Sequence, residues 1–391
     1  MENSHIERRF APTALMLGNF VTGCSVLAPA GMLSELSAGL DVSIRGAGLL
    51  ITFGAIVLCI GSPLTAWLTS RFERRTLLTA TLAVLALTNA ASAFAPDYAT
   101  LLVIRLIMLA VGALYTPQAA GTAGLIAPTE KRGSTIAFIF LGWSLAAAVG
   151  LPLIAFIASR YGWRTVYGGI GVIGCFSFLL LLWRLPGGLI GAPVELKTWA
   201  DVGRNRTIVL LLLITTLQMS GQFVVFTFMG PLLTKLTYVG PDAIGLIFAI
   251  YGLFGFIGIA IATRIVDSWG AYRTSLLFTV LMLTGVTGWA LSAGIYPLMA
   301  CSVAIWGLGF ASTNSMQQVR LVAAAPALAT ASVSLNTSVL YIGQAVGSAV
   351  GGVLYARDLL YGAGYVSMGF IALALMTVIL TKPRRAIVPT G

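Results

Sequence analysis

The sequence predicts an all-α integral membrane protein, with twelve transmembrane helices in two pseudo-symmetric six-helix bundles. Three observations carry that prediction. The chain of 391 residues is 58% hydrophobic and only 9% charged, with mean hydropathy +0.96, whereas a soluble domain carries about 25% charged residues. Its apolar residues gather into twelve runs, each of about 20 residues and able to cross a hydrocarbon core of about 30 Å as a helix. Finally, GSPLTAWLTSRFERRTLL at 61–78 is answered by GIAIATRIVDSWGAYRTSLL at 258–277. Both join the end of one apolar run to the start of the next through a short basic turn.

That spacing recurs. Gly112 answers Gly309, Gly150 answers Gly347, and Ser70 answers Asp267, each pair 197 positions apart. One offset fitting three places argues for two halves of similar fold, an arrangement typical of transporters that open alternately to the two sides of a membrane.

The predicted spans run over 12–33, 46–69, 76–95, 99–121, 134–158 and 164–184, then 207–232, 243–266, 273–293, 296–319, 328–355 and 361–381. The N-terminal MENSHIERRFAPT lacks a signal-peptide core and cleavage site, so the first run is expected to stay as a span. Segment 185–206, polar and rich in Gly and Pro, is the longest connection and falls halfway. The expected organisation is therefore an N-terminal bundle over 1–184, a cytoplasmic linker over 185–206 and a C-terminal bundle over 207–391.

Charge sets the expected orientation. With the N-terminus inside, 17 Lys and Arg fall on inner turns and tails and 5 on outer ones, leaving Arg105 within the membrane. The positive-inside rule then places both termini in the cytoplasm of a cell-membrane protein. The net charge of +11 forms no basic stripe with interleaved aromatics, so nucleic acid is not a partner. Cys24, Cys59, Cys175 and Cys301 lie within apolar runs without metal-ligand spacing and read as small packing residues.

The basic turn after span 2, the arginine of LLVIRLIMLAVGA in span 4, the GLP of span 5 and the GWRTVY opening span 6 together resemble the major facilitator superfamily. More narrowly, they are similar to its twelve-span drug/proton antiporter and arabinose-efflux-type branch. The resemblance covers essentially the whole chain. It implies two six-helix bundles around a central cavity, and gating by the basic turns. Those turns supply Ser70, Arg71, Arg74 and Arg75 in the first half, and Asp267, Gly270 and Arg273 in the second. The pattern departs from the family at Ala66, Ser70 and Glu73. Ser70 stands where an aspartate is thought to lock a gate. In span 5 Gly150 and Pro152 keep the antiporter pattern, but Ala155 and Phe156 replace its closing glycine pair.

Candidate site residues follow from polar groups placed in apolar helices. Arg105 costs at least about 2.5–3.5 kcal/mol at the centre of a span and must face a cavity or a partner. A role in substrate binding or coupling is the reading taken here; satisfaction by neighbouring backbone carbonyls, or snorkelling to the outer face, is the alternative. Met108, Gly112 and Tyr115 recur with Arg105 at helical spacing, so that face is expected to line the cavity. Gln218 and Gln222, one turn apart in span 7 with Phe226 beyond them, suit either a neutral polar solute or interhelical hydrogen bonding. Asn19, Asn314, Asn336 and Gln344 carry the same two readings, with Asn19 and Asn336 preferred as substrate ligands. Gly343, Gly347 and Gly351 repeat every fourth residue on span 11 and predict a close helix contact.

None of the twelve acidic residues lies securely inside a predicted span. Glu35, just past span 1, and Asp97, just before span 4, are the candidates for proton coupling. A net positive cavity favours neutral or anionic solutes over cationic drugs. The spans hold no metal-ligand cluster, nucleophile–base set or paired acids, and no phosphate-binding loop, which argues against an enzyme and against ATP-driven transport. The expected function is a secondary active transporter, without cofactor or metal and expected to be monomeric, that exports a small neutral or anionic organic solute by alternating access. An uptake permease or uniporter is the alternative, and a non-transporting membrane sensor is a remote one.

Overall fold

The computed structural model describes residues 2–69, 71–128, 132–190, 201–325 and 328–382. Among them, twelve helices are long and apolar enough to cross a membrane. Spans 1–6 are Phe10–Gly31, Ile44–Thr65, Arg74–Ala93, Tyr98–Ala123, Phe138–Tyr161 and Trp163–Arg184. Spans 7–12 are Arg206–Phe226, Pro241–Trp269, Ala271–Leu291, Tyr296–Ala324, Ala331–Ala356 and Leu360–Leu380. These follow the twelve predicted runs in order, to within a few residues at the ends. The chain crosses alternately, so the span 2–3 turn, the linker and the span 8–9 turn share one face, here called the linker face. The opposite end is the far face.

Spans 2, 3, 4 and 7 begin at side chains that accept orphan N–H groups of the first turn. Ser43 accepts from the Gly46 N–H at 3.0 Å, Glu73 from Thr76 at 3.1 Å, and Asp97 from Thr100 at 2.8 Å. Asn205 caps span 7 in the same way. Between spans 8 and 9 the reversal rests on Gly270, whose φ of 79° is a conformation that side chains with a Cβ rarely adopt.

The repeat is visible in hydrogen bonds. At the far face, the Tyr98 hydroxyl of span 4 donates to the Gly46 carbonyl of span 2 at 2.8 Å, and the Tyr296 hydroxyl of span 10 donates to the Ala243 carbonyl of span 8 at 2.8 Å. The partners correspond at offsets of 198 and 197 positions.

The glycine stripe of span 11 packs on span 7, inside its own half. A Cβ on Gly343, Gly347 or Gly351 would lie 2.5, 2.3 and 2.3 Å from the carbonyl oxygens of Thr216, Ser220 and Val224. Each glycine meets a carbonyl one turn further along span 7, so the backbones touch through a ladder that any side chain would break. Gly347→Leu is expected to lower stability by about 1–3 kcal/mol or more through overpacking; thermal unfolding of the purified variant measures this, and an unchanged melting temperature would refute the ladder.

Span 5 is irregular at its centre. Ala146–Gly150 form a π-helical turn ahead of Pro152, which has no N–H to offer the preceding turn. Gly142 and Gly150 press this region against span 1: their Cβ positions lie 2.3 Å from the Met16 carbonyl oxygen and 2.7 Å from Cys24 Sγ. On its other side, Gly252 of span 8 sits directly on the widened turn, with its Cβ position 2.2 Å from Ala148 Cα and 2.6 Å from the Ala147 carbonyl.

Contacts between the first six spans and the last six gather toward the far face. Thr52 and Ser348 share a hydrogen bond of 2.8 Å between spans 2 and 11. Gly48 leaves room for Phe228, and Gly352 for the Arg45 stem. Arg160 and Asp242 pair at 3.5 Å, both largely exposed, so this ion pair contributes at most about 1 kcal/mol. The larger share of the far-face closure comes from apolar packing.

Candidate solute site and gates

Arg105 sits where Pro29 has left a carbonyl without its helical donor. A proline at 29 cannot bond the Ser25 carbonyl four residues earlier. The Arg105 guanidinium fills that place: Nη1 donates to Ser25 O at 3.0 Å, Nη2 to Val26 O at 2.9 Å, and Nε to Leu50 O at 2.9 Å. Only 1% of the residue is exposed. The charge thus clamps spans 1, 2 and 4 together near the far face. The rest of the expected cavity face is buried as well. Met108 and Tyr115 are fully covered, and the Tyr115 hydroxyl donates to Leu15 O at 3.3 Å across the space left by Gly18. This stripe packs on span 1 because Gly18 has no side chain to hold it away.

The span 7 amides turn into the second half. Gln218 Nε2 donates to Thr279 Oγ1 of span 9 at 2.9 Å, while its Oε1 is buried without a partner. Gln222 Oε1 accepts from the Tyr251 hydroxyl of span 8 at 2.9 Å. Phe226 belongs to an aromatic group with Phe223, Phe248 and Tyr251, at centroid distances of 5.4, 5.9 and 5.0 Å. All three span 7 candidates are buried.

Asn19 and Asn336 anchor two matching polar nodes at mid-membrane. In the first half, Asn19 Nδ2 donates to Ile139 O at 3.0 Å, and its Oδ1 accepts from Thr116 Oγ1 at 2.8 Å. Thr116 Oγ1 in turn accepts from Trp143 Nε1 at 3.0 Å. In the second half, Asn336 Oδ1 accepts from Thr215 Oγ1 at 2.7 Å, and its Nδ2 donates to Asn314 Oδ1 at 3.0 Å. One node ties spans 1, 4 and 5, and the other ties the repeat-related spans 7, 10 and 11. Ile139 and Asn336 correspond at the 197-residue offset, and Thr116 falls one residue from the counterpart of Asn314. Thr116, Trp143 and Asn314 are partly exposed, although each is bonded into the bundle. Polar groups at this depth do not face lipid, so they border the space between the halves.

The gating candidates bond within their own halves. Arg74 is buried and its Nη1 donates to Gln118 Oε1, with Gln118 Nε2 reaching Thr69 Oγ1 at 3.3 Å. Arg75 donates to Leu182 O of span 6 at 2.5 Å. Glu73 accepts from the Gly188 N–H at 2.9 Å, docking the start of the linker on the span 2–3 turn. Arg71, Asp267 and Arg273 are exposed, and no ion pair involves Asp267 among the described residues. Ser70 lies outside the described residues.

The coupling candidates part company. Asp97 is the exposed cap of span 4, and the Thr100 N–H it accepts holds its carboxyl below the usual range. A group with a lowered pKa stabilises the fold above its ordinary pKa and loses that effect only as pH falls through the lowered value, so Asp97 stays ionised near neutrality. Glu35 is half-buried on the short far-face helix Leu33–Gly39, and burial pushes its carboxyl upward. Gly150 packs on span 1 as described above; it also borders an apolar crevice of about 110 Å³ with Cys24, Ile154 and Ile170.

Trp143, Thr116 and Tyr341 carry no polar-in-span signal that marks them in the sequence. The 197-residue offset was the available signal for part of this: applied to Asn336, it lands on Ile139, the residue that bonds Asn19.

Twelve spans, repeat-related nodes and closure at one face define a known architecture, and the family profile described as Major Facilitator Superfamily matches residues 15–348. The chain belongs to the Major Facilitator Superfamily. Members of this superfamily are membrane transporters of small molecules, not enzymes. The chain is 29% identical over 380 residues to the inner membrane transport protein YdhP of Escherichia coli (strain K12), covering 95% of this chain and 96% of that one. It is 25% identical over 377 residues to a probable sugar efflux transporter of Mannheimia succiniciproducens, covering 94% and 91%. Among solved structures, the D-xylose–proton symporter superposes with a TM-score of 0.75 at 16% identity over 95% of this superfamily member and 97% of that chain. The human organic anion transporter MFSD10 gives 0.74 at 15% identity over 95% and 99%. At such identities the likeness is one of fold.

Proposed function

We propose that this superfamily member is a secondary active transporter that exports a small organic solute by alternating access, its two six-span halves rocking about the linker, and that the described state opens to the cytoplasm. The observation that carries this reading is the asymmetry of the inter-half contacts. Arg160–Asp242 at the far face, Thr52–Ser348 beneath it and Gly252 against Ala147–Ala148 at mid-depth join the halves, while Arg74, Arg75 and Glu73 at the linker face bond inside their own half. The 17-to-5 basic excess supports a cytoplasmic linker face and cytoplasmic termini. Export draws support from the relative named as a probable sugar efflux transporter. The two asparagine nodes are read as rigid rims of the solute pathway, and Arg105 as a clamp that fixes the far-face seal.

Orientation is tested by single cysteines in a background with the native four replaced by alanine. Ser268→Cys at the linker face is expected to be protected from a membrane-impermeant thiol reagent in intact cells. Gly240→Cys at the far face is expected to be labelled. The reverse pattern would overturn the assignment.

The carboxylates of the described spans, Asp242 and Asp267, sit at the two ends of span 8 rather than at mid-depth, so transport in proteoliposomes is expected to depend only weakly on an imposed pH gradient. Whatever dependence exists is assigned to Glu35, since its burial favours the protonated acid as pH falls, whereas Asp97 remains charged. Glu35→Gln is therefore expected to flatten the acidic limb of the pH profile. A profile moved by Asp97→Asn and untouched by Glu35→Gln would contradict this.

A further inference from the structure

Span 11 carries a second stripe, about 120° around the helix from its glycines. Ser338, Tyr341 and Ser348 share this side, with Gln344 at its edge. Its direction is fixed at two points. Ser348 bonds Thr52 of span 2, and Tyr341 packs into an apolar cluster with Val26, Ala55, Leu58, Leu109 and Ala113, all from the first half. The stripe therefore looks across the interface between the halves, beneath the Thr52–Ser348 seal.

Apart from Ser348, its polar side chains have no hydrogen-bond partner among the described residues. Ser338 is 5% exposed and its hydroxyl is buried without a hydrogen bond. Tyr341 is 9% exposed and Gln344 is 3% exposed, and neither side chain makes a hydrogen bond among the described residues. Unpaired polar groups call for water or a ligand, and one left buried, as the Ser338 hydroxyl is, costs about 1–3 kcal/mol. Three of them on successive turns, at the closed end of the space between the halves, are placed to be satisfied by something that enters. Trp143 packs against the same apolar cluster from span 5. Its indole N–H is held by Thr116, so the ring is fixed in orientation while partly exposed.

We infer that Ser338, Tyr341 and Gln344 of span 11, with the Trp143 ring, form the solute-binding site, and that its ligand is an uncharged ring bearing several hydroxyl groups. The inference rests on the transporter reading above and narrows its substrate. Two hydroxyls and an amide donate and accept without charge, and an indole face covers the apolar side of a ring. Nothing in the stripe neutralises an ion, and the guanidinium of Arg105 is already committed to three carbonyls. A monosaccharide and a nucleoside share the required chemistry.

The test uses the full-length protein, purified and titrated by thermal shift in three arms. One arm holds glucose and ribose, the second holds uridine and adenosine, and the third holds the charged counterparts glucuronate, glucosamine and uridine monophosphate. One neutral arm is expected to bind at least tenfold more tightly than its charged counterparts. Tyr341→Phe and Gln344→Leu, both close in shape to the native residues, are expected to weaken that binding at least tenfold with little change in the melting temperature of the free protein. The inference is overturned if neither neutral arm binds, if charged counterparts bind as well, or if both variants bind like wild type. Counterflow in proteoliposomes separates this failure from that of the transporter reading. Movement of a charged solute with no neutral binding would sink the site assignment alone, while no movement of any solute, neutral or charged, would count against both.

Discussion

Arg105→Ala is expected to lower the stability of the protein by about 3–5 kcal/mol and to abolish transport with it. The estimate joins two costs. Ser25 O loses the donor that replaces the missing N–H of Pro29, an orphaned carbonyl worth about 1–3 kcal/mol, and truncating a large buried side chain leaves a void worth about 2–5 kcal/mol; the two overlap in part. Arg105→Lys keeps the charge, but an ammonium cannot reach three carbonyls on two helices with the fixed fork of a guanidinium, so most of the loss is expected to remain. Thermal unfolding and counterflow on the same purified variants separate the readings of this residue. A stable Arg105→Ala protein that fails to transport would return Arg105 to substrate binding or coupling. A stable and active one would remove it from both accounts.

Gly252→Leu is the second large effect. Its Cβ position already lies 2.2 Å from Ala148 Cα, against backbone that cannot swing aside as a long side chain could. The substitution penalises only states in which span 8 sits on the π-helical turn of span 5. Overpacking of about 1–3 kcal/mol corresponds to a roughly 5–150-fold shift toward states with the far face open. Cysteine placed at Gln344 reads this out. In the background with the native four cysteines replaced by alanine it is expected to be shielded from an impermeant reagent at the far face, and with Gly252→Leu added it is expected to be labelled there. Unchanged labelling in a folded Gly252→Leu protein would show that the glycine contact does not hold the far face shut.

The sequence carried the fold further than it carried the site. Span number and order follow from apolar runs, and the repeat from a constant offset, because a bilayer forces every backbone group into a helix and leaves hydropathy to mark its limits. Side-chain partners are another matter. Arg105 is a functional candidate by depth alone, and what receives its guanidinium is a carbonyl freed by a proline 76 positions earlier in another span. Tyr115 is at cavity spacing, yet Gly18 lets it fold into span 1. Gln218 and Gln222 are one turn apart, but helical period fixes which residues share a face without fixing which neighbour that face meets. Gln344 stood among the ambiguous amides in the sequence, and Tyr341 became visible only once its lack of a partner could be seen. The glycines of span 11 were legible as a contact, though only the structure shows that they meet span 7 of the same half. The π-helical turn had a partial signal in Gly150 and Pro152.

The most direct test of alternating access is the distance between the halves at each face, measured by pulsed electron–electron resonance in nanodiscs. One label pair replaces Arg160 and Asp242 at the far face, and a second replaces Arg71 and Ser268 at the linker face. Alternating access predicts two populations at each face in opposite register: where the far pair is short the linker pair is long, and Gly252→Leu exchanges their weights. A single distance distribution at both faces, unmoved by that substitution, would contradict it.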